Sequence, residues 1–297
     1  MFRAFNPVIV VGAALAAALS LAGVAPTASA APPHGVLFDD FDYSGPDDPA
    51  VTADGWEVRT GGGGPGVEGA TWTADNIAFP RIQGKKSLQL RLTTDGTSQG
   101  TTQSEFTQTT QGREGTYLAQ IKFSDAPAAG PDGDFMNQTF FAIGPLAADC
   151  DPNYSETDFT EYLPNGGWGT PGPLNSETTW YTTGETCSDS VENDQAVSLA
   201  GWHTIMATVA GGHVRYYVDG VLVADHAGKY FPREDMVIDF NTWLIDTTGH
   251  VGQQTSIWNE YVDYVYYAQN QVLSPKQAKH QVRLLRSHHR FVNTIAP

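Results

Sequence analysis

An all-β fold, two antiparallel sheets packed face to face as a sandwich, is predicted by three features of this chain. First, short segments alternate apolar and polar residues. In Ser87-Leu88-Gln89-Leu90-Arg91-Leu92-Thr93 the three leucines share one face, the mark of a half-buried antiparallel strand. Second, 31 Gly and 18 Pro accompany an 11% aromatic content, which favours many short strands joined by tight turns over long helices. Third, Val214-Arg215-Tyr216-Tyr217-Val218 and Val221-Leu222-Val223 flank Asp219-Gly220, a two-residue hairpin turn between β-branched and aromatic runs. The 297 residues suffice for one large sandwich with a full core, and no second domain is needed.

At the N-terminus, residues 1–30 read as a secretory signal: Arg3, an apolar run from Val8 to Val24, and the small-residue site Ala28-Ser29-Ala30. The secreted, extracellular domain is expected over 31–268, with no membrane association after cleavage. Strands are expected at Val36 to Asp42, Gly55 to Arg59, Ser87 to Thr93, Thr102 to Phe106, Gly115 to Phe123 and Thr139 to Ile143. The glycine run from Gly61 to Gly66 lacks the Lys-Ser/Thr and helix of a phosphate cradle and reads as a loop. Later strands are expected at Thr179 to Gly184, around Gly201 to Thr204, at Met236 to Leu244 and at Val262 to Tyr267. A basic helical tail, 269–297, starts at Ser274-Pro275, an N-cap followed by an N1 proline, and turns Val282, Leu285 and Phe291 toward the body.

Charge narrows the partners. The formal net charge is -17, which argues against nucleic acid and favours a neutral ligand. The tail runs the other way: Lys276, Lys279, Arg283, Arg286 and Arg290 stand there without an acid, and they are expected to lie against the acidic body. Cys150 and Cys187 are the two cysteines, and in an oxidising compartment they form one disulfide, in preference to a metal pair or free thiols.

The chemistry concentrates in Tyr154-Ser155-Glu156-Thr157-Asp158-Phe159-Thr160-Glu161-Tyr162. On an extended strand Glu156 and Asp158 share a face, whereas Glu161 falls on the other unless one extra residue intervenes. A β-bulge supplies that residue and brings three acids into one groove. Crowded, partly desolvated carboxyls separate in acidity, one keeping its proton while a neighbour ionises, which is the pairing glycoside hydrolysis requires.

Glu156-Thr157-Asp158-Phe159-Thr160-Glu161 resembles the E-x-D-x-x-E signature of glycoside hydrolase family 16, the β-jelly-roll endoglucanases, lichenases and galactanases. Further likenesses run in chain order from Val36 to Tyr267. They include the Gly115 to Phe123 strand, Trp202-His203-Thr204, the Asp219-Gly220 hairpin and Asn241-Thr242-Trp243. The resemblance implies a jelly roll and a retaining endo-β-glycosidase acting as a monomer on a polysaccharide, with Glu156 as nucleophile, Asp158 as its helper and Glu161 as acid/base. Trp168, Trp180, Tyr181 and Trp243 become candidate sugar platforms and Asn241 a hydroxyl ligand. His203 is left out of the site. No cofactor is required for catalysis, and Asp40 and Asp263 are candidate ligands for a structural calcium. Ser155 stands where the family commonly has Gly. A β-glucan is the expected substrate; the alternatives are a galactan-cleaving or transglycosylating enzyme, or an inactive lectin-like binder.

Overall fold

The computed structural model describes residues 34–148, 150–182 and 187–296. The expected signal, 1–30, lies outside the described residues, all of which fall within the unit Pro32–Pro297.

Seven strands form the sheet that carries the acids. In chain order they are β2 (Trp56–Val58), β4 (Thr102–Gly112), β6 (Phe135–Ile143), β7 (Ser155–Leu163), β8 (Leu174–Tyr181), β9 (Asp189–Gln195) and β13 (Met236–Asp246). Their spatial order is β9-β8-β7-β6-β13-β4-β2, antiparallel throughout. The second sheet is built on β14 (Ser256–Gln269). One edge of β14 pairs with β3 (Leu88–Thr94) and then β1 (Val36–Asp39). Its other edge leads through β5 (Gly115–Phe123), β10 (Gly201–Ala210) and β11 (His213–Val218) to β12 (Val221–Ala227). The hairpin between β11 and β12 turns at Asp219 and Gly220, whose φ of 51° and 84° are the two positive values that a twisted two-residue turn demands.

An aromatic row fills the space between the sheets. Phe240 stacks on Phe140 at 4.8 Å, Phe140 meets Phe159 at 4.7 Å, Phe159 meets Tyr117 at 4.9 Å, and Tyr117 stacks on Tyr267 at 4.3 Å. All five rings are essentially fully buried. Offset pairs of this kind add to the large apolar area that each ring removes from water.

The tail is helical only in part. Its helix (Pro275–Arg286) opens with a capping box, Ser274 accepting from the Gln277 amide while the Gln277 side chain accepts from the Ser274 amide. Ala278, Val282 and Leu285 of the helix pack on Tyr264, Tyr266 and Val292 over the outer face of the second sheet. Phe291, expected on the helix, instead begins strand β15 (Phe291–Asn293), because the chain reverses after the helix and adds to the free edge of β1. The basic residues do meet the acidic body: Arg290 pairs with Asp54 at 3.0 Å.

Calcium does not fit between Asp40 and Asp263. The Arg286 guanidinium donates to both Asp263 oxygens at 2.8 Å, Lys85 adds a third bond at 3.0 Å, and Arg286 Nε lies 3.8 Å from Asp40. Calcium needs six to eight oxygen ligands. Here fixed cations already hold Asp263, Asp40 keeps one buried oxygen without a hydrogen-bond partner, and no group of three metal-ligating side chains occurs among the described residues. The structure leaves a calcium at these two residues without support.

Asp263 is 1% exposed, so removing its bidentate partner leaves a buried carboxylate held by Lys85 alone. Arg286→Ala is expected to cost about 3 kcal/mol in urea unfolding, whereas exposed Lys276→Ala stays within about 0.5 kcal/mol. A chelator is expected to leave the wild-type melt unchanged.

Candidate active site

The register of β7 shows the extra residue. Phe140 faces Thr160 while the next residue, Phe141, faces Asp158, so Phe159 has no partner of its own on β6. On the other edge, Asp158 opposes Thr178 and Glu161 opposes Ser176, leaving two residues of β7 against one of β8. Both inserted positions turn inward. Phe159 enters the aromatic row, and Thr160 donates to Asn175 Oδ1 at 2.6 Å on the core side. Glu156, Asp158 and Glu161 consequently line one groove of about 1140 Å³ on the open face of the sheet.

Each acid has a distinct environment. Glu156 is half-buried and accepts a short hydrogen bond from the Tyr154 hydroxyl. Burial raises its pKa, while the donors Tyr154 and Asp158 pull it back. Asp158 is 5% exposed and accepts from the Trp180 indole at 2.9 Å. Burial and then the charges of Glu156 and Glu161 push it well above the carboxylate range, which favours its protonated form beside Glu156. Glu161 accepts from Asn137 Nδ2 at 2.8 Å and from Thr178 Oγ1 at 3.3 Å. Burial, with Glu156 adding to it, raises its pKa to about 7 against those two donors. The arrangement keeps Glu161 protonated in weakly acidic solution and surrounds the Glu156 carboxylate with donors.

Of the expected platforms, Trp168, Trp180 and Trp243 line the groove. Trp168 is 61% exposed at the rim, its ring 5.9 Å from that of Trp243. It is carried on a tight turn where Gly166, at φ 82°, has no room for a Cβ, which would lie 2.1 Å from the Thr170 carbonyl. Tyr181 is a correction. It comes directly after Trp180 on a regular strand and therefore points to the opposite face, where it stacks under Arg233 at 4.3 Å and meets Tyr230 edge-on. Asn241 sits in the groove floor, its Oδ1 accepting from Thr139 at 2.5 Å and its Nδ2 donating to Glu105 at 3.4 Å. His203 pairs with Asp219 beside the hairpin, away from the groove.

Ser155, where the resembled family commonly has Gly, is 1% exposed; its hydroxyl accepts from the Arg233 amide at 2.7 Å. The Arg233 side chain also donates to the Tyr154 carbonyl at 2.8 Å, which tethers the residue that holds Glu156. A disulfide joins Cys150 and Cys187, 37 residues apart, at the groove's rim. It closes a loop containing β7 and β8. Asn137 and Thr178 were not legible in the sequence as partners of Glu161, since only strand register brings them together, whereas Tyr154 stands two residues before Glu156 and shares its face by alternation.

No family model matches the chain, and no curated protein matches it. Solved structures do. A mixed-linkage glucan family 16 glycoside hydrolase from Bacteroides ovatus, in complex with an oligosaccharide product, is 15% identical with a TM-score of 0.60, covering 77% of this chain and 98% of that one. The Bacillus licheniformis β-glucanase is 19% identical, with a TM-score of 0.57 over 80% of this chain and 99% of its own. A galactose-4-sulfate-3,6-anhydro-galactose galactohydrolase is 17% identical, with a TM-score of 0.57 over 82% and 97%. The fold is that of the family 16 jelly roll.

Glu161 ionises near 4.5 when unfolded and near 7 when folded. Between those values the folded chain binds more protons than the unfolded chain, so stability falls as pH rises through that window. Urea midpoints are expected to decline between about pH 5 and 8, and Glu161→Gln to remove on the order of 3 kcal/mol of the decline.

Proposed function

We propose that this protein is a secreted retaining endo-β-glycosidase that cuts a neutral β-glucan by double displacement. One observation carries the reading: the bulge at Phe159–Thr160 sets Glu156 and Glu161 on the same groove face, each accepting from a neutral donor, Tyr154 for Glu156 and Asn137 for Glu161. The proton on Glu161 goes to the glycosidic oxygen as the Glu156 carboxylate attacks the anomeric carbon. The leaving sugar departs and a glycosyl ester to Glu156 remains. Glu161, now ionised, takes a proton from water, whose oxygen attacks the same carbon and frees Glu156. Asp158 donates to Glu156 throughout, so it tunes the charge of the leaving carboxylate without touching the sugar. Trp180, donating to Asp158, fixes that carboxyl and offers its ring to the chain beside Glu156.

The charge of the groove supports a neutral substrate. Glu105, Glu192, Asp194 and Asp239 join the three acids along it, and Arg59 is the one Lys or Arg lining it among the described residues. Arg59 is already bound to Glu105 at 2.9 Å. A sulfated galactan would meet net repulsion there. Secretion rests on the leader read in residues 1–30, and the disulfide agrees with an oxidising compartment.

The test is a panel of neutral β-glucans and galactans, with reducing ends and retention on insoluble polymer measured together. Products from a β-glucan are expected. Glu156→Gln and Glu161→Gln should each lower turnover by about a thousandfold or more while the melt shows a folded protein. Activity should fall as pH rises past about 7, where Glu161 loses the proton it must donate. Retention without products would make the protein a binder, and unchanged turnover by Glu156→Gln would remove the nucleophile.

A further inference from the structure

Glu156 must leave the sugar as well as attack it, and one neighbour is placed to serve the departure. Tyr154 immediately precedes β7 and, two residues before Glu156, shares the groove face with it. Its hydroxyl donates to Glu156 Oε2. A phenol ordinarily ionises at about pH 10. Burial and then the Glu156 charge move this one higher, so the hydroxyl keeps its proton and is the donor of the pair. The residues opposite Glu156 on the adjoining strands do not compete for it: Ile143 of β6 is apolar, and Trp180 of β8 gives its indole N–H to Asp158.

The main chain on either side of the Tyr154 ring is fastened. Its amide donates to the Asp151 carbonyl at 3.1 Å, and its carbonyl accepts from the Arg233 guanidinium at 2.8 Å. Arg233 is itself fixed: its amide donates to the Ser155 hydroxyl at 2.7 Å, its side chain donates to the Thr182 carbonyl at 3.2 Å, and its guanidinium lies over the Tyr181 ring at 4.3 Å. The donor is therefore in place before a substrate arrives and has no reorganisation to undergo when charge develops on Glu156.

We propose that Tyr154 is a positioning residue for the second displacement: its hydroxyl holds Glu156 Oε2 while the sugar is on Oε1, and stabilises the carboxylate as it departs. The inference rests on the double-displacement reading and names the half of it that this side chain governs. Charge on Glu156 changes in opposite senses in the two halves. In the first, a full carboxylate loses charge as its oxygen bonds the anomeric carbon, so a donor to it favours the resting enzyme at least as much as the transition state. In the second, that carbon–oxygen bond breaks and its electron pair returns to Glu156, while the water oxygen bonds the carbon and the water proton passes to Glu161. The ester is neutral and the departing carboxylate is an anion. Hydrogen bonds to an ionised acceptor are roughly twice as strong as those to a neutral one, so the same donor is worth more at this transition state than in the ester before it.

The test is Tyr154→Phe in the full chain, with Tyr181→Phe, which removes a hydroxyl from the opposite face, as the control. Both are assayed beside the wild type on dinitrophenyl β-gluco-oligosaccharides, whose leaving group needs no proton, and mass spectrometry of the quenched protein counts the fraction carrying a sugar ester. Tyr154→Phe is expected to lower kcat about tenfold and KM with it, to keep kcat/KM within about threefold, and to accumulate as the ester during turnover. Tyr181→Phe should match the wild type, and all three proteins should melt alike. A fall in kcat/KM without accumulated ester would reduce Tyr154 to a structural role, and unchanged kcat would leave it with none; either result overturns the assignment. The wild type reports on the hydrolase reading by itself. If it releases no dinitrophenol, that reading is lost and this one with it, whereas an active wild type beside a Tyr154→Phe variant that accumulates no ester removes this one alone.

Discussion

Two residues of β7 facing one of β8 is the constraint on which the site depends. A strand without that insertion would send Glu161 into the space now filled by Phe159 and Thr160, among the core aromatics. The insertion is held by burial: Phe159 is 1% exposed and touches both Phe140 and Tyr117, one from each sheet. Thr160 is bound into a polar chain, in which Asn175 donates to Glu177 at 2.6 Å and Glu177 accepts from Asn193 and Gln195. The irregularity is thus fastened on the core side by one ring and one hydroxyl. Its product on the open side is a carboxyl turned to meet another.

That arrangement concentrates carboxyls where water is scarce, and the protein balances them with protons and neutral donors. Glu161 has Asn137 and Thr178, Glu156 has Tyr154, and Asp158 has Trp180. None of these donors carries a positive charge. Neutral donors temper a carboxyl's acidity without forcing it to ionise, whereas a guanidinium at the same distance would hold it as an anion. The protonated state of Glu161 that favours folding is also the state that the proposed reaction requires to protonate a leaving oxygen. Stability and the first chemical step therefore lean toward the same side of neutrality.

Much of this was legible in the order of residues alone. Alternation placed Glu156 and Asp158 together, and the five-residue step to Glu161 required an insertion, which β7 has. The hairpin at Asp219-Gly220 arises from two residues able to hold positive φ. What failed did so for physical reasons. Tyr181 was grouped with Trp180 as a platform, yet neighbours on a regular strand cannot share a face, and the two-residue period already excluded the pair. Asp40 and Asp263 suggested a metal because the partner that meets them, Arg286, lies on a helix more than twenty residues further along the chain. A strand hidden in the tail, β15, is three residues long and has no pattern of its own; the free edge of β1 makes it a strand. Asp239 went unnamed although it precedes Asn241 and Trp243 by two and four residues, a spacing that puts all three on one face.

The distribution of cations obeys the same chemistry. On the outer face, Arg286 and Lys85 neutralise Asp263, and Arg290 neutralises Asp54. Those carboxylates are asked only to be anions, and a fixed cation serves them well. In the proposed reaction Glu161 must alternate between acid and base, and a permanent cation beside it would remove one of the two states. Arg59 does line the groove, but it is committed to Glu105, three strands away from Glu161 along the row Glu105, Asn241, Thr139, Glu161. A charge that far off acts weakly through the groove's water. Keeping the basic residues on the back of the molecule is therefore part of how the front can titrate.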